Sequence, residues 1–397
     1  MFFCHRQFAT SNRLRARFPH ADDAFVVGVD SKNGGCVLKK SLSLLSVVFI
    51  LVAFALGFAV RPMVTPTAVG PEGVAGTTFE WTLQTSITSG HPQFPLYLQW
   101  AQDIHQMSGG RLQIAIHPVG EIMPLMELLT SVTNATLDGA ITWGPFWRGL
   151  DSTLTLACGQ TSGLTAMEFD IWLNNYGGLE LIQEAYARHN IHWLPALRSP
   201  PETFLWAHRP IRTVADLQGL KVRAGGFSLD AFTALGAAAT FMPGGETPPA
   251  LMKRVIDAGE FGTLSEDMAL GFHEAARYAI IGARAPVMQG DLMINADRWK
   301  ALPVELQNLV TTTIARYGAM GYGHLLRLDQ ESVQKAKERG NVFVEASDEL
   351  VQAFRSALDG ILDKEADGNA NFAKIWQSLR EFRTSFRDFN RTLYPWD

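Results

Sequence analysis

The segment Lys221-Val-Arg-Ala-Gly-Gly-Phe227 carries an arginine to the end of a short apolar run and follows it with two glycines. A guanidinium is a planar fork of donors that matches a carboxylate at two points. Gly225 and Gly226 remove side-chain bulk beside Arg223, so a ligand or another backbone segment can come close. An isolated arginine after a surface strand looks the same. Three acids stand at comparable boundaries. Glu202 enters an apolar run in "SPPETFLW", Glu260 follows a helical pattern in "DAGEFGT", and Asp291 opens the apolar "QGDLMIN". Singly, each is an ordinary solvated or paired carboxylate. Brought together, they would make an oxygen-rich site suited to a hard cation. Trp143, Phe146 and Trp147 in "ITWGPFW" follow a strand end, where ligands of open α/β sheets bind. Simple packing is the competing use of these aromatics.

Catalytic constellations are missing. The chain has no GxSxG, no HExxH and no GxGxxG after a strand, and no lysine follows "GGET" at 244–247 to make it a phosphate loop. Cys4, Cys36 and Cys158 form no CxxC pair, and Cys158 in "LTLACGQ" reads as a small buried hydrophobe. "PVGEIMP" and "FMPGGETPP" resemble each other, each a proline-bearing turn before a Leu/Met-rich helix. They would set two helix starts facing the same kind of gap, although loop composition alone can produce such a likeness.

The elements that must position these residues alternate. "FEWTLQT" is a strand, Pro95 opens a helix with Tyr97, Trp100, Ile104 and Met107 at helical spacing, and "RLQIAIH" alternates as a strand. "PLMELLTSVTN" and "DGAITW" repeat the pair, which implies a parallel sheet covered by helices. After a helical stretch at 164–189 the alternation resumes through "LKVR", "SLDAFTALG", "ATFMP", a helix over "TPPALMKRVIDAG", "YAIIG" and "GDLMIN". Two sheets are expected. Residues 303–339 form one long or broken helix, in which Gly318, Gly321 and Gly323 mark a kink or a close approach; helices at 347–363 and 371–389 follow. The last carries an apolar stripe of Phe372, Ile375, Trp376, Leu379, Phe382 and Phe386, which seeks its own lobe or a second copy of the chain.

The 397 residues suffice for two domains, and a net charge of -5 with scattered lysines argues against nucleic acid as a partner. Residues 39–63, "KKSLSLLSVVFILVAFALGFAVRPM", place two lysines before an apolar run long enough for an export signal or a membrane anchor. We therefore divide the chain into an extension at 1–36, a signal or anchor at 37–63 and a linker at 64–78, with translation from near Val37 as the alternative start.

From Phe79 to about residue 360 the chain resembles the periplasmic solute-binding proteins of tripartite ATP-independent periplasmic (TRAP) transporters, DctP-like, in the branch that binds 2-oxo acids and related monocarboxylates. "MSGGRLQIAIHPVGEI", "LQGLKVRAGGF", "MPGGETPPALMKRVIDAGEF" and "ALGFHEAARYAI", in that order, carry the likeness. The resemblance implies a two-lobed α/β periplasmic binding protein fold with a long helix of the C-terminal half bridging the lobes. Lobe I would take 79–201 and about 289–325, lobe II 202–288 and about 326–365, and 366–397 would be a C-terminal helix available for a homodimer. It implies no enzyme activity, a periplasmic location with a possible inner-membrane tether, an integral-membrane permease as partner, and a small organic carboxylate as solute. Arg223 falls on the carboxylate-binding arginine. Glu260 and the main-chain carbonyl of Phe261 fall on the cation-binding pair, which usually reads Glu-Trp, so the indole N–H is lost here. Asp291 falls on a third acidic ligand, and Glu202 on a position where a close relative has a neutral glutamine. Three carboxylates favour calcium, with sodium second. Trp143, Phe146 and Trp147 would wall the pocket. The alternatives are a dicarboxylate or other organic anion, for which Arg284 is the residue to check, and a sensory binding protein without a permease.

Overall fold

The computed structural model describes residues 77–282 and 285–393. The extension, the signal or anchor, nearly all of the linker and Arg284 lie outside them.

The chain runs through β1 (Phe79–Thr85), α1 (Phe94–Met107), β2 (Leu112–His117), α2 (Leu128–Thr133) and β3 (Gly139–Thr142). A 3-10 segment, Ser152–Cys158, leads into α3 (Ala166–Asn175), α4 (Gly178–Ala187) and β4 (Ile191–Ser199). The second half of the fold opens with β5 (Leu205–Ala207), β6 (Lys221–Arg223), α5 (Gly226–Ala234), β7 (Ala238–Thr240), α6 (Thr247–Met252) and β8 (Ala258–Gly259). Then come α7 (Leu264–Leu270), α8 (Phe272–Ala275), β9 (Tyr278–Ile281), β10 (Met288–Asn295), α9 (Ala296–Ala301) and α10 (Val304–Glu338). Next follow β11 (Val342–Glu345), α11 (Asp348–Gly368) and α12 (Ala370–Leu393).

Two sheets result, in the orders β2-β1-β3-β10-β4 and β11-β9-β5-β8-β6-β7. We call the bodies around them lobes I and II. The first sheet is mixed: β1, β2 and β3 are parallel as the alternation implies, but β10 runs antiparallel to both β3 and β4. The reason is topological. β10 enters lobe I from lobe II, and so arrives from the end at which β4 leaves. The two crossings touch, because the Glu202 N–H donates to the Ala285 carbonyl at 3.1 Å. One local expectation fails: the helix opened by Thr247 ends at Met252, because Arg254 takes a left-handed φ of 56° and turns the chain toward β8.

The long helix α10 is a single run of 35 residues. Its glycines serve close approach. A Cβ on Gly318 would lie 2.9 Å from the Ala196 carbonyl oxygen, and one on Gly321 would lie 2.9 Å from the Leu197 side chain. Further along, Asp329 accepts the Ser265 N–H at the start of α7, so the helix spans from one lobe to the other.

The stripe of α12 is buried inside the chain. Phe372, Ile375, Trp376, Leu379 and Phe382 are all nearly inaccessible. The helix reaches lobe I, where Trp172 Nε1 donates to Ser378 Oγ at 3.0 Å and the Tyr176 and Phe382 rings lie 4.8 Å apart. Phe372 also meets Phe227 of α5 edge-on at 5.8 Å. The α11–α12 hairpin therefore joins the two lobes through one apolar cluster.

Candidate functional site

A cavity of about 190 Å³ lies between the lobes. Arg223 ends β6, between β7 and β8, and its side chain is buried in the cavity wall. Nε donates to the Met242 carbonyl at 3.0 Å and Nη1 to the Glu260 carbonyl at 2.5 Å. Glu260 Oε2 is 3.5 Å from the same guanidinium, and Glu260 Oε1 accepts the Gly225 N–H at 2.6 Å. The rings of Phe241 and Phe261 flank the guanidinium at 5.7 and 5.8 Å. Backbone carbonyls and a carboxylate thus hold the fork rigidly at the strand end.

The second glycine is required by the opposite lobe. Gly226 has φ +55°, and a Cβ there would stand 3.2 Å from Pro145. Next to that contact, Arg148 of lobe I donates to the Gly226 carbonyl at 3.0 Å, pairs with Asp230, and lies 4.2 Å over the Phe227 ring. The lobes are therefore fastened together beside the arginine strand. Gly244 has a similar duty, since a Cβ there would fall 2.1 Å from the Phe261 ring. Val119 comes from "PVGEIMP" and Leu125 follows it directly, and Phe241, Pro243 and Gly244 come from "FMPGGETPP". The two similar turns line one cavity, and each leads through a 3-10 turn into a short helix.

Of the residues singled out in the sequence, Arg223, Glu202, Glu260, Phe261, Trp143 and Phe146 line this cavity. Trp147 and Asp291 do not. Trp147 is wholly buried in the apolar core of lobe I, behind Phe146, with the two rings edge-to-face at 6.2 Å. Asp291 faces the interior of lobe I. Its oxygens accept Tyr186 Oη at 2.9 Å and Trp193 Nε1 at 2.8 Å, and burial pushes its carboxyl up to about 7. That environment satisfies the group without a cation. Among the described residues, no set of three or more His, Cys, Asp or Glu side chains comes together as a metal cluster. Of the expected cation ligands, Glu202, Glu260 and the main chain at Phe261 remain at the cavity.

Sequence reasoning passed over His91, Glu266, Ser199 and Gln160, all of which line the cavity. His91 Nε2 lies 3.5 Å from Glu266 Oε1, which also accepts Ser199 Oγ at 3.1 Å; Gln93 Nε2 donates to Ser199 Oγ at 2.8 Å. Burial lowers His91 to about 3, so the imidazole is neutral at physiological pH. Burial raises Glu266 from 4.5 to about 7, with the nearby Asp329 charge adding to it. "TLSE" was legible as a capping box, and Glu266 does accept the Thr263 N–H at 2.9 Å, but nothing local tells that its carboxyl also meets lobe I. Because the folded value exceeds the unfolded one, Glu266 subtracts stability as pH rises from 4.5 to about 7. Glu266→Gln is expected to raise the melting temperature at about pH 8 and to leave it unchanged or lower at about pH 4. An equal shift at both pH values in a calorimetric scan would contradict this.

A family model for bacterial extracellular solute-binding proteins, family 7, matches residues 83–368. The chain belongs to that family. Members of family 7 are solute receptors and not enzymes, and they act outside the cytoplasm. The chain is 29% identical over 292 residues to a monocarboxylate 2-oxoacid-binding periplasmic protein of Nostoc sp., a match that spans 73% of this chain and 80% of the relative. A TRAP periplasmic solute-binding protein from Colwellia psychrerythraea, with bound calcium and pyruvate, superposes with a TM-score of 0.76 at 24% identity over 80% of this chain and 98% of that one. A second, from Pseudoalteromonas atlantica with bound sodium and pyruvate, gives 0.73 at 26% identity over 80% and 97%. This family 7 receptor shares their two-lobed architecture.

Proposed function

We propose that the protein captures a small 2-oxo or 2-hydroxy monocarboxylate outside the cytoplasmic membrane and delivers it to an integral-membrane TRAP permease. The observation that carries this reading is the buried Arg223 in the wall of an otherwise largely apolar cavity between two lobes. A solute carboxylate meets the guanidinium, and Trp143, Phe146 and Phe241 cover its apolar remainder. An apolar cavity of about 150 Å³ holds a benzene-sized molecule, so the volume here suits a solute of about six to eight non-hydrogen atoms. Among the described lining residues the basic side chains are Arg223 and the neutral His91, and the solute carboxylate is assigned to Arg223. Closure of the lobes retains the solute, and the permease reads the closed state.

The donor set at the cavity fits a hard cation in part: Glu202, Glu260 and the Phe261 carbonyl would hold it, without Asp291. A cation bound there supplies positive charge to the solute carboxylate and its 2-oxygen. Calcium, a hard divalent ion that takes several carboxylate and carbonyl oxygens, suits this donor set better than monovalent sodium and is the proposed ion. Chelated protein is then expected to bind pyruvate at least about tenfold more weakly in calorimetric titration, with calcium restoring the affinity and Glu202→Gln weakening calcium's effect. Equal affinity in the chelated, metal-free protein would overturn the cation bridge.

A further inference from the structure

The segment Gln160-Thr-Ser-Gly163 joins the Ser152–Cys158 turn to α3, and its first residue faces the cavity. Gln160 is 6% exposed, and its Oε1 is a buried oxygen with no hydrogen-bond partner among the described residues. A buried acceptor left unpaired is destabilising, and a solute in the cavity can supply the missing donor. The oxygen stands 3.5 Å from the position a Cβ on Gly226 would occupy, while Glu260 Oε1 stands 3.8 Å from the equivalent position on Gly225. The glycine pair after Arg223 is therefore flanked by the Glu260 carboxylate on one side and the Gln160 amide on the other.

The backbone behind Gln160 is held from outside the cavity. Arg355 Nη2 donates to the Thr161 carbonyl at 2.7 Å, Arg383 Nη1 to the Ser162 carbonyl at 2.9 Å, and Arg387 Nη2 to the Gly163 carbonyl at 3.1 Å. Asp359 joins the first two through contacts of 2.6 and 2.7 Å. Three successive carbonyls bound by guanidinium groups of α11 and α12 fix the loop, which is what a side chain that reads a ligand requires.

We propose that Gln160 is a solute ligand whose amide oxygen accepts a hydroxyl on the carbon beside the carboxylate, so that the receptor favours 2-hydroxy over 2-oxo acids. The inference rests on the monocarboxylate reading above. A 2-hydroxy acid brings the donor that the orphaned oxygen lacks; a 2-oxo acid of the same skeleton brings none.

The test is calorimetric titration of the full exported chain, with calcium present, using L-lactate against pyruvate and 2-hydroxybutyrate against 2-oxobutyrate. Wild-type protein and Gln160→Met, which keeps the length of the side chain, are compared, with Gln160→Leu as a second variant should the first lose its melting transition. The expected result is an affinity loss of about tenfold or more for both hydroxy acids and less than about threefold for both oxo acids. Unchanged affinity for the hydroxy acids, or an equal loss for both classes, overturns the assignment of Gln160 while leaving the carboxylate reading intact. Failure of all four acids to bind the wild-type chain overturns that reading, and the inference falls with it.

Discussion

Arg223→Ala is expected to weaken pyruvate binding by roughly 30-fold to several thousand-fold, the equivalent of about 2–5 kcal/mol for a truncated buried charge pair. The same guanidinium ties the Met242 and Glu260 carbonyls and lies against Glu260 Oε2, so the variant also takes a positive charge away from a buried carboxylate. A modest fall in melting temperature should accompany the loss of affinity. Arg223→Lys separates the two effects. It keeps the charge near Glu260 but replaces the planar fork by a point charge, so stability should recover further than affinity does. Titration calorimetry and thermal melts on the three proteins decide the matter. Wild-type affinity in the alanine variant would remove the arginine from solute binding altogether.

Truncation after Gly368 is the larger perturbation. It deletes α12 and with it five side chains that are nearly inaccessible, Phe372, Ile375, Trp376, Leu379 and Phe382. Truncating one large buried side chain costs about 2–5 kcal/mol, and a whole domain holds only about 5–15 kcal/mol of net stability. The truncated chain is therefore expected to be unfolded or aggregated, with no cooperative melt by circular dichroism. Had the stripe been reserved for a second copy, the shortened protein would instead run as a folded, solute-binding monomer, and that outcome would show that the intrachain burial is dispensable. Trp376→Ala in the intact chain is a finer version, expected to cost about 3–5 kcal/mol.

The parts of the molecule that were legible in the sequence are those fixed by short-range rules. The alternation in "RLQIAIH" and the helical spacing after Pro95 placed β2 and α1, because burial on one face leaves a period in the chain. The position of Arg223 at a strand end was legible for the same reason. Which way a side chain turns was not. Asp291 sits in a strand as expected, but its surroundings are set by Tyr186 and Trp193, about a hundred positions away, and these draw its carboxyl into lobe I. Trp147 was lost to the core because the 3-10 turn over Gly144–Trp147 puts Phe146 toward the cavity and its neighbour behind it. His91 and Gln160 carry no local mark, and the capping-box spacing of Glu266 does not point to the cavity. They become site residues only when two lobes meet, and the meeting depends on contacts that no window of sequence contains.

The α11–α12 hairpin has a mechanical consequence. Two bodies joined only by a pair of adjacent crossings, such as those that touch at Glu202 and Ala285, are free to twist as well as to swing. α10 supplies a third connection, and the hairpin, through Phe372 on Phe227 and Phe382 on Tyr176, supplies a fourth that resists the twist. The Arg148–Asp230 pair stands beside the hairpin contact, since Arg148 also lies 4.2 Å over the Phe227 ring. The lobes are thus held at the crossings, along α10 and at the hairpin, which limits the ways in which the cavity between them can open.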